Sequence, residues 1–149
     1  MILELATPGD RDVVNRLARQ VHALHVFLQP DVYEMPEGEL YPQERYDQAL
    51  QDKEMYLAKV EGIPVGYALL RVRQTLSGNK VMLLDELCID EACRRQGLGT
   101  EMMEFIHVLA KAQGCHHLEL NVNAKNEAAL RLYEKCGYAV RDIKMYRTV

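Results

Sequence analysis

Leu84-Asp85-Glu86-Leu87-Cys88-Ile89-Asp90-Glu91-Ala92-Cys93-Arg94-Arg95-Gln96-Gly97-Leu98-Gly99-Thr100 is the stretch whose reading decides the fold. It begins as the end of a buried strand, passes through a short polar turn, and opens a helix on two glycines. Backbone N–H groups at a helix N-terminus have no intrahelical partner, and they face an anion with the positive end of the helix dipole. Gly97 and Gly99 let the backbone approach a phosphate closely, and Arg94 and Arg95 add positive charge beside it. The segment is built like a pyrophosphate cradle. The structural alternative is that Gly97 only permits a tight strand-to-helix turn. A dinucleotide-binding fold requires G-x-G-x-x-G directly after the first strand, whereas the third position after Gly99 is Met102 and the motif comes late in the chain. A P-loop requires a lysine between its last glycine and the Ser/Thr, and Thr100 follows Gly99 directly.

Working outward, Val81 to Ile89 reads as one strand whose apolar residues occupy both parities, as expected of a central strand covered on both faces. Met55 to Val60 and Pro64 to Arg73 are rich in β-formers and are joined by Glu61-Gly62-Ile63-Pro64, so they read as a hairpin. Ser77-Gly78-Asn79-Lys80 turns the second of these into the central strand. Leu98, Met102, Phe105, Ile106 and Leu109 mark an amphipathic helix that stops near Gly114. His117 to Val122 is expected to be a strand, and about Asn126 to Cys136 a helix ended by Gly137. Tyr138 to Arg141 and Ile143 to Thr148 are expected to close the chain as strands. Near the amino terminus, Met1 to Ala6 reads as a strand, and Thr7-Pro8-Gly9-Asp10 as a helix start with Thr7 as N-cap. Val14, Leu17, Val21, Leu24 and Leu28 then recur at helical spacing. Pro30, Pro36 and Gly38 mark a loop over residues 29 to 41, and Pro42 opens a short helix through about Gln51. With no repeat or linker, residues 1–149 read as a single α/β (α+β) domain, a mixed central sheet flanked by helices on both faces.

Composition narrows the function. Of 149 residues, 48% are hydrophobic and 27% charged, which is ordinary for a globular chain and excludes a disordered tail or a fibre. No apolar run reaches the roughly 18 residues that a membrane helix needs, and Met1-Ile2-Leu3-Glu4 shows no basic n-region followed by an apolar h-region, so secretion is not expected. A net charge of −4 argues against nucleic acid and is compatible with a cationic acceptor such as an amine. Cys88, Cys93, Cys115 and Cys136 form no C-x-x-C pair, and a chain with an ample core does not need disulfides, so reduced thiols in the cytoplasm are expected.

Arg94-x-x-Gly97-x-Gly99 resembles the R/Q-x-x-G-x-G/A motif of the GNAT superfamily of N-acetyltransferases. The resemblance extends to Asn126-Glu127-Ala128-Ala129-Leu130-Arg131-Leu132-Tyr133-Glu134-Lys135-Cys136-Gly137-Tyr138, which is similar to the family's N-x-x-A-x-x-L-Y-E-K-x-G-F/Y segment. In all, roughly residues 54 to 141 carry it. It implies transfer of an acetyl group from acetyl-CoA to an amine by direct attack, with no metal or redox cofactor. It implies that Arg94, Arg95, Gln96, Gly97, Leu98, Gly99 and Thr100 hold the pyrophosphate. The backbone of Leu87, Cys88 and Ile89 would pair with the pantetheine arm as though it were another strand, and an N–H there would polarise the thioester carbonyl.

Asn126 and Tyr133 are seven residues apart, about two helical turns, and therefore share a face with Leu130 between them. Acyl transfer from a thioester must expel a thiolate and remove a proton from the attacking amine. The resemblance implies that Tyr133 protonates the thiolate and that Asn126 hydrogen-bonds the pantetheine; taken alone, Tyr133 also reads as a core aromatic. Asp85 and Glu86 interrupt an apolar strand, and burying an unpaired charge is costly. The resemblance implies that one of them binds or deprotonates the amine, an ion pair or an exposed strand end being the alternative. Strict alternation would send the two to opposite faces, so only one is expected to reach the acceptor.

Other residues fit function less well. His22 and His25 share a helix face but make a poor zinc site. His25 is also a candidate for lining the acceptor cleft, beside the loop containing Tyr33 and Tyr41. Cys88 has no histidine partner to activate it as a nucleophile. Met82, Met102 and Met103 read as core. Residues 1 to 53 match no specificity pattern. A small-molecule amine is favoured as acceptor, with a protein α-amino group and a non-catalytic acyl-CoA sensor as alternatives. A homodimer is compatible with such folds.

Overall fold

The structure is a computed structural model describing residues 1–149. Five strands form one sheet in the order β1 (Ile2–Leu5), β2 (Met55–Val60), β3 (Ile63–Gln74), β4 (Lys80–Ile89) and β5 (His117–Leu120). The first four are antiparallel neighbours and β5 runs parallel to β4, so the sheet is mixed, as the sequence predicts. The helices are α1 (Arg11–Leu28), α2 (Gln43–Gln51), α3 (Leu98–Ala112) and α4 (Glu127–Lys135). Ahead of α1, Thr7 and Asp10 bracket a single 3₁₀ turn, with the Thr7 N–H and hydroxyl both donating to the Asp10 carboxylate at 2.9 Å. No helix is long and apolar enough to cross a membrane.

Each face of the sheet has its own core. Val14, Leu17 and Ala18 of α1 and Tyr46 and Ala49 of α2 pack with Met55, Leu57, Tyr67 and Cys88. On the opposite face Met102, Met103, Ile106 and Ala110 of α3 pack with Tyr56, Ala58, Ala68, Leu70, Met82 and Leu84, and Tyr133 and Cys136 press against the same cluster.

A single irregularity in β4 sets the direction of the side chains that follow it. Leu69 opposes Glu86 and Leu70 opposes Leu84, so Asp85 is an extra residue, a β-bulge, in β4. Before the bulge, Met82 and Leu84 face α3; after it Leu87 and Ile89 face that side, and Cys88 lies among the residues under α1. One added residue reverses the parity of the strand. The both-parity pattern of this strand thus combines two covered faces with a change of phase between them.

A second feature is the divergence of β4 and β5. They pair only from Val81–His117 to Leu84–Leu120, while β4 continues to Ile89 against β3 alone. From Asp85 to Ile89 the edge of β4 toward β5 therefore carries no strand.

The carboxyl-terminal segment differs from expectation: no strand forms over 138–149. β-propensity expresses packing on a pleated, half-buried surface, and here Val140, Ile143 and Met145 are 75%, 83% and 89% exposed. Side chains tether the segment instead. Arg141 is paired with Glu119 of β5, and the Tyr146 hydroxyl meets Gln29 and donates to Asp31 at 2.9 Å.

Candidate active site

The turn after β4 is shaped for an anion. Asp90 caps a short 3₁₀ turn, its Oδ1 accepting from Ala92 N–H at 3.2 Å. Gly97 precedes α3 at φ +75°, a left-handed conformation that glycine adopts without strain. Backbone hydrogen bonding stops at Arg94 N–H, which donates to Glu91 O at 3.5 Å, and resumes at Glu101 N–H, which donates to Gly97 O at 3.1 Å. The N–H groups of Arg95, Gln96, Gly97, Leu98, Gly99 and Thr100 are thus free, and a Cβ on Gly97 would meet nothing within 4 Å. Six free donors at the positive end of a 15-residue helix suit a pyrophosphate. Arg94 has a second task, its Nε donating to Ile89 O at 3.2 Å, so it braces the end of β4. Gly99 also serves packing: a Cβ there would lie 3.2 Å from Leu132 of α4.

Beside this turn lies the unpaired edge of β4 from Asp85 to Ile89, including the backbone of Leu87, Cys88 and Ile89. At its far end β3 presses close. A Cβ on Gly66 would lie 2.2 Å from Cys88 O, so only glycine lets the two backbones approach here.

Glu86 is the centre of a polar cluster beneath α1 and α2. Its Oε2 accepts from the Tyr67 hydroxyl at 2.9 Å and from the Tyr41 hydroxyl, while its Oε1 lies 3.9 Å from Arg45 Nη2. Burial and the Glu86 charge push both phenols far above their ordinary range, so they remain donors. Arg45 stacks 4.3 Å over the Tyr41 ring. His25 packs on Tyr33 with centroids 5.2 Å apart, and His22 lies 6.2 Å from Tyr33. Burial, aided by His22 and opposed by Glu86, lowers the His25 pKa, so its imidazole is neutral at neutral pH.

Asp85 pairs with Arg71 of β3, and its side chain is 28% exposed. The expectation that the two carboxylates occupy opposite faces is corrected by the bulge. Leu84 and Leu87 both face α3, and the extra residue lies between them, so Asp85 and Glu86 both fall on the α1/α2 side. Their surroundings differ: Asp85 has a guanidinium partner, Glu86 two phenols and an open oxygen.

Tyr133 lies on α4, half-buried, 6.0 Å from the Tyr138 ring. Burial, with a smaller contribution from Cys136, raises its pKa and keeps the hydroxyl protonated at neutral pH. Asn126 is the N-cap of α4, its Oδ1 accepting from Ala129 N–H at 3.2 Å, so the helix already uses one end of its carboxamide. The Cys88 thiol is pushed up to about 12 by burial, the opposite of what a nucleophile needs. Tyr67 and Arg45 were not evident as site residues. The available signal was a tyrosine within an otherwise apolar strand, whose buried hydroxyl requires a partner. Identifying that partner required the register, which places Tyr67 opposite Cys88 and hence diagonal to Glu86.

The profile of the Acetyltransferase (GNAT) family matches residues 20–138. The chain belongs to the GNAT acetyltransferase family. Across its whole length it is similar to the tetramutant of the BH1408 protein from Bacillus halodurans, with 28% identity, a TM-score of 0.91 and 100% of both chains covered. A putative acetyltransferase from Agrobacterium tumefaciens shares the GNAT fold at 21% identity and a TM-score of 0.75, again over 100% of both chains. The uncharacterized N-acetyltransferase YdgE of Bacillus subtilis is 40% identical over 55 residues, which are 37% of this chain and 35% of that protein. The matched stretches span 22% to 40% of the length of the curated relatives.

Proposed function

We propose that this GNAT chain transfers the acetyl group of acetyl-CoA to the amine of a small-molecule acceptor, with Glu86 as general base and Tyr133 as general acid. The observation that carries the reading is the unpaired edge of β4, running from the bulge to the anion-ready turn with Glu86 beside it. An extended pantetheine arm fits that edge as an added strand, with its pyrophosphate on the free N–H groups of Arg95 to Thr100. Acetyl-CoA supplies an activated acyl carbon and a thiolate leaving group.

The two faces of the sheet then divide the proton work. On the α1/α2 face, the open Oε1 of Glu86 accepts the proton lost by the amine as nitrogen bonds to the acyl carbon. The two phenol donors fix the carboxylate for this. A backbone N–H of the unpaired β4 edge stabilises the oxyanion as the carbonyl is attacked. On the α3/α4 face, the Tyr133 hydroxyl donates its proton to the departing sulfur as the C–S bond breaks. Products are the N-acetylated acceptor and free CoA thiol.

Thiol release from acetyl-CoA with an amine panel tests this. Tyr133→Phe is expected to lower kcat by about 10²- to 10⁴-fold while acetyl-CoA affinity, measured by calorimetry, stays within about twofold. Full turnover in the phenylalanine variant would refute the acid role, and acetyl-CoA binding without turnover in the starting protein would favour a sensor.

A further inference from the structure

The charges around Glu86 define the acceptor more narrowly than an amine. Arg45 is held beside Glu86 by two contacts that leave most of its donors unused. Its guanidinium stacks 4.3 Å over the Tyr41 ring, and Nη1 donates to Leu40 O at 2.8 Å. Nη2 points toward Glu86 Oε1 but stops at 3.9 Å, beyond hydrogen-bond distance, and the Arg45 side chain is 52% exposed. A guanidinium and a carboxylate thus stand side by side, both partly open to solvent. The carboxylate is already satisfied on one oxygen by Tyr41 and Tyr67, and the other oxygen is open. A guanidinium positioned by stacking presents a rigid fork suited to a planar carboxylate.

We infer that the acceptor is an α-amino acid or a similar amine with an adjacent carboxylate, its carboxylate bound by Arg45 and its amino group by Glu86. The inference rests on Glu86 being the base of the proposed reaction, and the chemical step is unchanged. Nitrogen bonds to the acetyl carbon, its proton passes to Glu86, and the sulfur leaves as thiol. A bare cationic amine satisfies Glu86 but places no anion on the fixed guanidinium. The net charge of −4 is compatible with a cationic amine, and the Arg45–Glu86 pair is the more local guide.

The test compares acceptors matched in everything but the carboxylate. The twenty common L-amino acids, their amides and their decarboxylated amines are assayed with acetyl-CoA by thiol release. The wild-type protein is expected to prefer at least one free acid over its amide by about 10- to 100-fold in kcat/KM. In Arg45→Gln that ratio should collapse to within about threefold, through a rise in KM for the acid, while Arg45→Lys retains part of it. If Arg45 only steadies Glu86, both acceptor types lose activity in parallel and the ratio survives, which overturns the inference. Equal or better turnover of amides and decarboxylated amines by the wild type also overturns it and leaves the acetyltransferase reading standing. Absence of thiol release with every acceptor overturns both.

Discussion

Glu86 and Asp85 are adjacent in sequence and differ in their partners. Glu86 accepts from two buried phenols and keeps one oxygen open, whereas Asp85 is paired with Arg71 at the surface. Glu86→Gln preserves an acceptor for the phenols, so the fold should persist while kcat falls by about 10²- to 10⁴-fold. Asp85→Asn removes an exposed ion pair worth about 0–1 kcal/mol, and turnover should stay within about threefold of wild type. Steady-state kinetics on the two variants separates them; equal losses would return the base assignment to the pair. That two carboxylates interrupt a buried strand is legible from residue types alone. Which one sits among the phenols under α1 and α2 with an open oxygen is not, because the answer depends on a bulge, and a bulge is a property of pairing between strands rather than of either sequence. For the same reason Arg45, from a helix 41 positions earlier in the chain, carries no local mark of its place beside Glu86.

At the scale of elements, β4 is the part on which the site is built. Its first half pairs on both sides and its second half on one, with the bulge between them. Gly66 of β3 holds the second half in place, because a Cβ there would sit 2.2 Å from Cys88 O. Gly66→Ala must push the two backbones apart, and a cost of about 1–3 kcal/mol is expected from such overpacking. Because the shift falls on the proposed pantetheine edge, acetyl-CoA affinity should fall with stability. Chemical denaturation together with calorimetric titration checks this, and an alanine variant with unchanged stability would contradict the close approach. The strands and helices up to residue 137 were readable from period and turn chemistry, with differences of a few residues at their ends. The terminal segment was not. Val140, Ile143 and Met145 resemble strand residues by type, but they find no surface to cover, and the segment is anchored by Arg141 and Tyr146 instead.

At the scale of the molecule, Asp90 joins the two halves of the proposed site. It accepts from Arg16 at 2.8 Å and from Gln20 at 3.2 Å, tying α1 to the start of the anion-ready turn. Burial alone would raise its pKa, but the donors from Arg16, Gln20 and Ala92 outweigh burial and hold it below the ordinary 3.8. A carboxyl whose native pKa lies below its unfolded value stabilises the fold above the unfolded value. That contribution fades as pH falls through the native value. Asp90→Asn should therefore cost about 1–3 kcal/mol near neutral pH, and the gap to wild type should narrow below about pH 4. Denaturation midpoints at both pH values decide it; a gap of the same size at both would contradict the linkage.

The central claim concerns the whole length of the site, from the free N–H groups of Arg95 to Thr100 along the open edge of β4. Thermal unfolding with and without acetyl-CoA, beside free CoA, tests it most directly. At about 100 times its dissociation constant, a ligand bound only by the native state adds about 2.7 kcal/mol, a clear rise in the midpoint. Both ligands should give that rise, since the pyrophosphate and pantetheine are common to them. An unchanged midpoint at millimolar acetyl-CoA would contradict the claim that this edge and turn bind the donor.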